Sequence, residues 1–198
     1  MPRITLFRRA FFILAVAVVV ACSPAVPKFK SMDISGVEWG GDFELTAHTG
    51  KRVKVSDFKG KVVILFFGYS HCPDVCAPTL SRLAALTHRL GEDAKRVQVL
   101  FVTVDPKHDT AAQLASFVPS FHPSFIGLTG TEQEIAKVAQ EYKVAFGLNP
   151  HPPVPGQVLV DHSTSIMVKD TKGKLRLLVK NDMSTEDMEH DVRVLLKE

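Results

Sequence analysis

The stretch that most constrains this chain is Val62-Val63-Ile64-Leu65-Phe66-Phe67, an unbroken run of aliphatic and aromatic side chains that follows Lys61. A run this short does not sustain an independent helix, and a run without polar positions has no face to turn toward water. It therefore predicts a central strand covered on both sides, the arrangement of a largely parallel sheet layered with helices. The segments on either side have to supply those layers.

After the run, Gly68-Tyr69-Ser70-His71-Cys72-Pro73-Asp74-Val75-Cys76 reads as a loop leading into a helix over about 77–89. That helix places Leu80, Leu83, Ala84, Leu86 and Leu90 on one side. A second buried strand, Val97 to Val104, ends at Asp105-Pro106. Asp109 or Thr110 is placed to cap a helix that runs to about Val118, with Pro119 as its stop. Another helix covers Glu132 to Tyr142. Strands 163–168 and 175–179 are joined around Lys172-Gly173, and a last helix covers Thr185 to Leu196. Upstream, Phe43-Glu44-Leu45 and Val53-Lys54-Val55 alternate around His48-Thr49-Gly50 as a hairpin. Asn149 to Gly156 carries four prolines between positions 150 and 155 and reads as a stiff exposed loop. The order of elements predicts an α/β domain over 42–198: a thioredoxin-like central sheet flanked by helices, with an N-terminal β-hairpin extension.

The N-terminal residues carry a different signal. Arg3, Arg8 and Arg9 precede eleven apolar residues from Ala10 to Val20, too few for a helix that spans a bilayer but suited to a signal-peptide core. Val19-Val20-Ala21-Cys22 resembles the bacterial lipoprotein cleavage site, in which the cysteine becomes the lipidated N-terminus. An uncleaved anchor is the alternative. Residues 1–21 are thus expected as a signal peptide and 22–41 as a stalk behind a lipidated Cys22, holding the body on the extracytoplasmic, periplasmic face of a bacterial membrane. The formal charge of +3 originates in this leader: without its three arginines, 21 Lys and Arg face 21 Asp and Glu. A body with no net charge lacks the basic excess of a general nucleic-acid binder, so nucleic acid is not an expected partner.

Three cysteines remain to be assigned. With Cys22 taken by lipid, Cys72 and Cys76 form one pair, too little for a disulfide framework and placed where a strand hands over to a helix. A thiol at a helix start is acidified, and its thiolate attacks disulfides or binds soft metals. On a helical segment the i, i+4 spacing turns both sulfurs the same way. Structural zinc commonly takes four protein ligands, whereas two thiolates and one imidazole suit copper. Among eight histidines, His71 adjoins Cys72 and should point elsewhere, and His88, His108, His122 and His190 read as solvated or capping. His162, flanked by Asp161 and Ser163, opens the strand after the proline-rich loop, on the side that faces the cysteines in a thioredoxin-like topology. Asp74 and Asp105 read as turn residues, and Met167 and Met183 as core or edge.

Three blocks, Phe67-Gly68-Tyr69-Ser70-His71-Cys72-Pro73-Asp74-Val75-Cys76, Val104-Asp105-Pro106 with Asp109-Thr110, and Val160-Asp161-His162-Ser163, resemble the Sco/SenC family in sequence and order. The similarity runs from about Phe43 to Leu196. Ala77 and Ile166 depart from the residues many relatives carry there, and neither is a candidate ligand. The resemblance implies that Cys72, Cys76 and His162 bind copper; Cu(I) is the expected ion, with Cu(II) the alternative. It further implies a metallochaperone for the CuA centre of cytochrome c oxidase. The copper-bearing oxidase subunit would be its recipient, with a periplasmic copper donor or thiol reductant as another partner. The rival is an enzyme, a thiol-disulfide oxidoreductase in which Cys72 attacks and Cys76 resolves. A single-cysteine peroxidase fits less well, since no Arg lies between Arg52 and Arg82.

Overall fold

The computed structural model describes residues 29–149 and 159–198. The leader, Cys22 and Pro150 to Gly156 lie outside the described residues. No described helix is long and apolar enough to cross a membrane.

The predicted central strand is β4 (Val62–Gly68), buried along its whole length; numbering here follows chain order, with β1 (Met32–Asp33), β2 (Glu44–Ala47) and β3 (Arg52–Lys54) before it. Next come α1 (Cys76–Leu90), β5 (Val97–Thr103), α2 (Ala111–Phe117), β6 (Ile126–Thr129) and α3 (Glu132–Glu141). The chain closes with β7 (Phe146–Leu148), β8 (Val160–His162), β9 (Ile166–Lys169), β10 (Leu175–Val179) and α4 (Thr185–Leu195).

One sheet takes the order β1-β10-β9-β4-β5-β6-β2-β3, and β7 pairs with β8 in a separate hairpin. β4, β5 and β6 are parallel, from Val62 opposite Val97 to Gly68 opposite Thr103; β9 runs antiparallel on the other side of β4. Because strand side chains alternate, Val62, Ile64 and Phe66 pack with Leu80, Leu83 and Leu86 of α1 and with Met188, Val192 and Leu195 of α4. Val63, Leu65 and Phe67 pack on the opposite face with Ile135 and Val138 of α3 and with Tyr142. The thioredoxin-like α/β layering is therefore present. The N-terminal hairpin joins the sheet through β2 against β6.

Helix starts follow local chemistry. Thr110, not Asp109, caps α2, accepting from Gln113 N–H; Thr131 and Glu134 close a reciprocal box on α3, and Ser184 caps α4. Three features differ from the sequence reading. β6 was not expected, because Gly127 interrupts a short apolar stretch; yet a Cβ there would press on Leu114 and Val118 of the covering helix layer at 3.1 and 2.9 Å. The strand expected over 163–168 starts at Ile166, and His162 instead ends β8. Within the span 22–41 expected as stalk, β1 pairs with β10, and the backbone N–H groups of Lys30 and Ser31 donate to the buried Asp191 carboxylate at 2.8 Å each. Backbone pairing of this kind leaves no hydrophobic period to read.

Candidate metal centre

The carboxyl end of β4 is where the sheet opens, and its last residue decides what fits there. A Cβ on Gly68 would lie 2.7 Å from Cys76 Sγ and 3.0 Å from the Phe101 ring. Only glycine lets the Cys76 sulfur settle over the strand end. Cys76 is the first residue of α1 and is fully buried; Cys72, in the preceding loop, is half-buried and donates its N–H to Tyr69 O at 3.3 Å.

His162 arrives from the hairpin. Its Nδ1 lies 2.9 Å from Ser163 O, a carbonyl that can only accept, so Nδ1 carries a proton and the ring turns Nε2 toward the sulfurs. Nε2 is 3.5 Å from Cys76 Sγ. The ring stands edge-on to Tyr69 and Phe66, with centroids at 5.8 and 6.5 Å. The Tyr69 hydroxyl accepts from Val160 N–H, which fastens β8 to the cysteine loop. The sulfurs of Cys72 and Cys76 and a ring nitrogen of His162 lie within 4.8 Å of one another.

That spacing fits one soft ion. A trigonal d10 ion with thiolates at about 2.3 Å and imidazole at about 2.0 Å holds its ligand atoms roughly 3.7–4.0 Å apart. The ligand atoms, with Cys76 Sγ and His162 Nε2 already 3.5 Å apart, would each shift by about 1 Å or less to reach it. Two sulfurs and an imidazole select copper or zinc over hard cations, and no fourth Cys, His, Asp or Glu joins this group among the described residues.

The two thiols are unequal. The Cys76 S–H donating to Cys72 holds the Cys72 thiolate down to about 3 against the opposing effect of burial, helped by His162 and by the backbone N–H groups of Asp74 and Cys76. Cys76 moves the other way, pushed far up by the proton it shares with Cys72 and by burial. The pair thus carries one thiolate and one thiol, with the half-buried member ionised.

A brace that the sequence reading passed over holds this loop. Asp109, completely buried, accepts from Ser70 N–H at 2.9 Å, from the Ser70 hydroxyl and from the Thr103 hydroxyl at 2.7 Å; its own carbonyl accepts from Thr129. It ties the cysteine loop to the ends of β5 and β6. Its adjacency to Thr110 suggested a cap, and only the tertiary structure reveals its partners. The remaining candidates stand apart. His71 is exposed and bonded to Ser70; His108 pairs with Asp105 at 2.7 Å; His88 and His122 pack ring to ring; His48 accepts from Gly127 N–H. Met167 is buried core, and Met183 Sδ accepts from Ser31. Arg82, the first arginine after the cysteines, points its guanidinium at Asn181 at 2.6 Å.

Comparisons with known proteins identify the family. A family model described as SCO1/SenC matches residues 32–197. The chain is 39% identical over 135 residues to the mitochondrial protein SCO2 homolog of Danio rerio, an alignment covering 67% of this chain and 48% of that protein. The matched stretch spans 46–60% of the length of the mitochondrial SCO2 relatives of Danio rerio, Bos taurus, Mus musculus and Saccharomyces cerevisiae. The structure of Bradyrhizobium japonicum ScoI with copper bound superposes with a TM-score of 0.73 at 35% identity, covering 80% of this chain and 99% of that one. The solution structure of apo Sco1 from Thermus thermophilus gives 0.76 at 35% identity, over 87% and 100%. With a family match spanning nearly the whole described body and the three quoted sequence blocks meeting at one end of its sheet, the chain belongs to the SCO1/SenC family.

Proposed function

We propose that this chain is an extracytoplasmic copper-binding protein, tethered to a bacterial membrane through Cys22. In this reading it holds copper between Cys72, Cys76 and His162 and passes it to the copper-bearing subunit of cytochrome c oxidase during CuA assembly. The observation that carries the reading is the convergence of two sulfurs and a ring nitrogen within 4.8 Å, with the imidazole proton held on the far nitrogen. Copper bound to a relative at 35% identity supports the choice of metal. The roles of this chain's residues follow from their chemistry. Cys72 presents a half-buried thiolate and Cys76 supplies a buried sulfur that loses its proton on binding. His162 offers Nε2, whose orientation the Nδ1–H bond to Ser163 O fixes. An anaerobic Cu(I) titration of the chain against a competing chelator, with His162→Ala beside it, tests the assignment. One tight equivalent that weakens in the variant is expected; binding indifferent to His162 refutes the three-ligand site.

The lowered Cys72 thiol favours a second activity of the same pair, thiol-disulfide exchange. The Cys72 thiolate attacks one sulfur of a partner disulfide, forming a mixed disulfide and releasing a thiolate that takes up a proton. Cys76 then gives up its proton and attacks Cys72, closing a Cys72–Cys76 disulfide and releasing the partner's second thiol. The partner is reduced and this pair oxidised. Exchange needs Cys72 and Cys76 alone, so loss of both activities in His162→Ala argues against it.

A further inference from the structure

Two Lys-Gly-Lys turns far apart in the sequence, Lys59-Gly60-Lys61 and Lys172-Gly173-Lys174, lie side by side in the fold. Gly60 N–H donates to Thr171 O at 2.8 Å. Gly60 and Gly173 take left-handed backbone conformations, φ +92° and +78°, and a Cβ on either meets nothing within 4 Å. Both apices therefore face open space. The turns and the half-buried Trp39 line a cleft of about 380 Å3.

The charge of this cleft is lopsided. Ion pairs of lysine among the described residues involve Lys54, Lys95 and Lys107, and none of the four turn lysines. The buried Lys169 ammonium beneath them donates to the Gly40 and Gly41 carbonyls and the Tyr142 hydroxyl. Glu38 and Asp42 are the acids in the lining, and Asp42 is occupied by the Ser56 N–H and hydroxyl. A body with no net charge has gathered unpaired cations at one place. That place is the far end of the sheet from the cysteines: Val63 pairs with Lys169 at the start of β4, and Gly68 stands at its end, about 17 Å away at the rise of a strand.

We propose that this cleft docks the body onto the anionic headgroups of a lipid bilayer. Unpaired lysines complement such a surface, each strengthening the contact roughly fivefold, and a part-exposed indole ring is suited to the headgroup layer. The occupant is also within reach: the seven peptide steps from Cys22 to Phe29 extend at most about 25 Å, so a body lipidated at Cys22 stays beside its membrane. This last point rests on the tether proposed above. Docked by its lysine end, the body turns Cys72, Cys76 and His162 away from the bilayer.

Trp39 is the chain's single tryptophan, so its fluorescence reports on this cleft alone. The full chain, produced with its leader in bacterial cells, is reconstituted into vesicles of phosphatidylcholine alone or doped with phosphatidylglycerol, each carrying a headgroup nitroxide quencher. Expected is quenching of Trp39 in the anionic vesicles well above that in the zwitterionic ones. High salt should remove the difference, as should the joint variant Lys59→Gln, Lys61→Gln, Lys172→Gln, Lys174→Gln, with the circular dichroism spectrum unchanged. Equal quenching in both vesicles overturns the proposal, as does a difference that persists in high salt. A Trp39 response to inorganic phosphate without one to anionic vesicles overturns it too, leaving a site for free anions. Flotation with the zwitterionic vesicles reads the tether separately: a chain that floats without differential quenching refutes the docking, and one that quenches only with anionic lipid but does not float refutes the tether.

Discussion

Gly68→Ala places one methyl group where the geometry leaves no room. The added carbon would lie 2.7 Å from Cys76 Sγ and 3.0 Å from Phe101. Non-bonded heavy atoms settle near 3.5–4.0 Å, so the sulfur has to retreat by about 1 Å or β4 has to shift. Without metal, Cys76 gives way by rotating, and the cost to folding is small: overpacking of about 1–3 kcal/mol at most, offset by about 0.4–1 kcal/mol from the stiffer unfolded chain. Copper cannot accept that compromise, because it needs the sulfur back within bonding distance of the same point. The strain is then restored on binding, and Cu(I) affinity should fall about 5- to 150-fold, the equivalent of about 1–3 kcal/mol. The assay is chelator competition on Gly68→Ala with Gly147→Ala as control, since a Cβ at Gly147 meets nothing within 4 Å. Urea unfolding of both variants separates loss of fold from loss of site. Gly68→Ala that binds Cu(I) as tightly as the unsubstituted chain refutes the reasoning.

Asp109→Ala strands the Ser70 N–H and the Ser70 and Thr103 hydroxyls, and should lower stability by on the order of 3–5 kcal/mol in urea unfolding. Asp109→Asn, which keeps the shape and lets the hydroxyls turn round, should cost about 1–2 kcal/mol, and equal losses in the two variants would contradict the brace. Because Cys72 ionises near 3, its thiolate persists as pH falls, and its alkylation rate should stay level from about pH 8 to pH 5, where an ordinary thiol slows tenfold per unit. Mass spectrometry should find the label on Cys72 and not on Cys76, and a rate that tracks pH below 8 would count against the shared-proton pair. Cys22→Ala should move the chain from membranes to the soluble fraction; continued pelleting at full-length mass would favour an uncleaved anchor.

The parts of this protein legible in its sequence are those built from local or periodic chemistry. Val62–Phe67 declared a buried strand by lacking any polar position, and Leu80, Leu83 and Leu86 declared the helix face that covers it. Cys72 and Cys76 stood out by residue type and position. What the sequence hid depends on partners distant in the chain. β7 and β8 each offer three residues, and their pairing of Phe146 with His162 spans the proline-rich segment. His162 stood out by its position after the proline-rich segment but was placed on the wrong strand, since nothing local divides Val160–His162 from Ile166–Lys169. Asp109 looks like any aspartate near a helix start until the Ser70 and Thr103 donors meet it.

The separation of the candidate ligands along the chain bears on folding. Cys72 and Cys76 are neighbours even in the unfolded chain, whereas His162 is 86 residues from Cys76. Closing a loop of that length costs about 4 kcal/mol of chain entropy, returned only when the sheet and its hairpin are assembled. On the copper-binding reading, an incomplete chain offers a metal ion two sulfurs and the finished fold offers a third donor. Coordination number thus becomes a record of folding, and a spectroscopic count of ligands during refolding would time the arrival of β8.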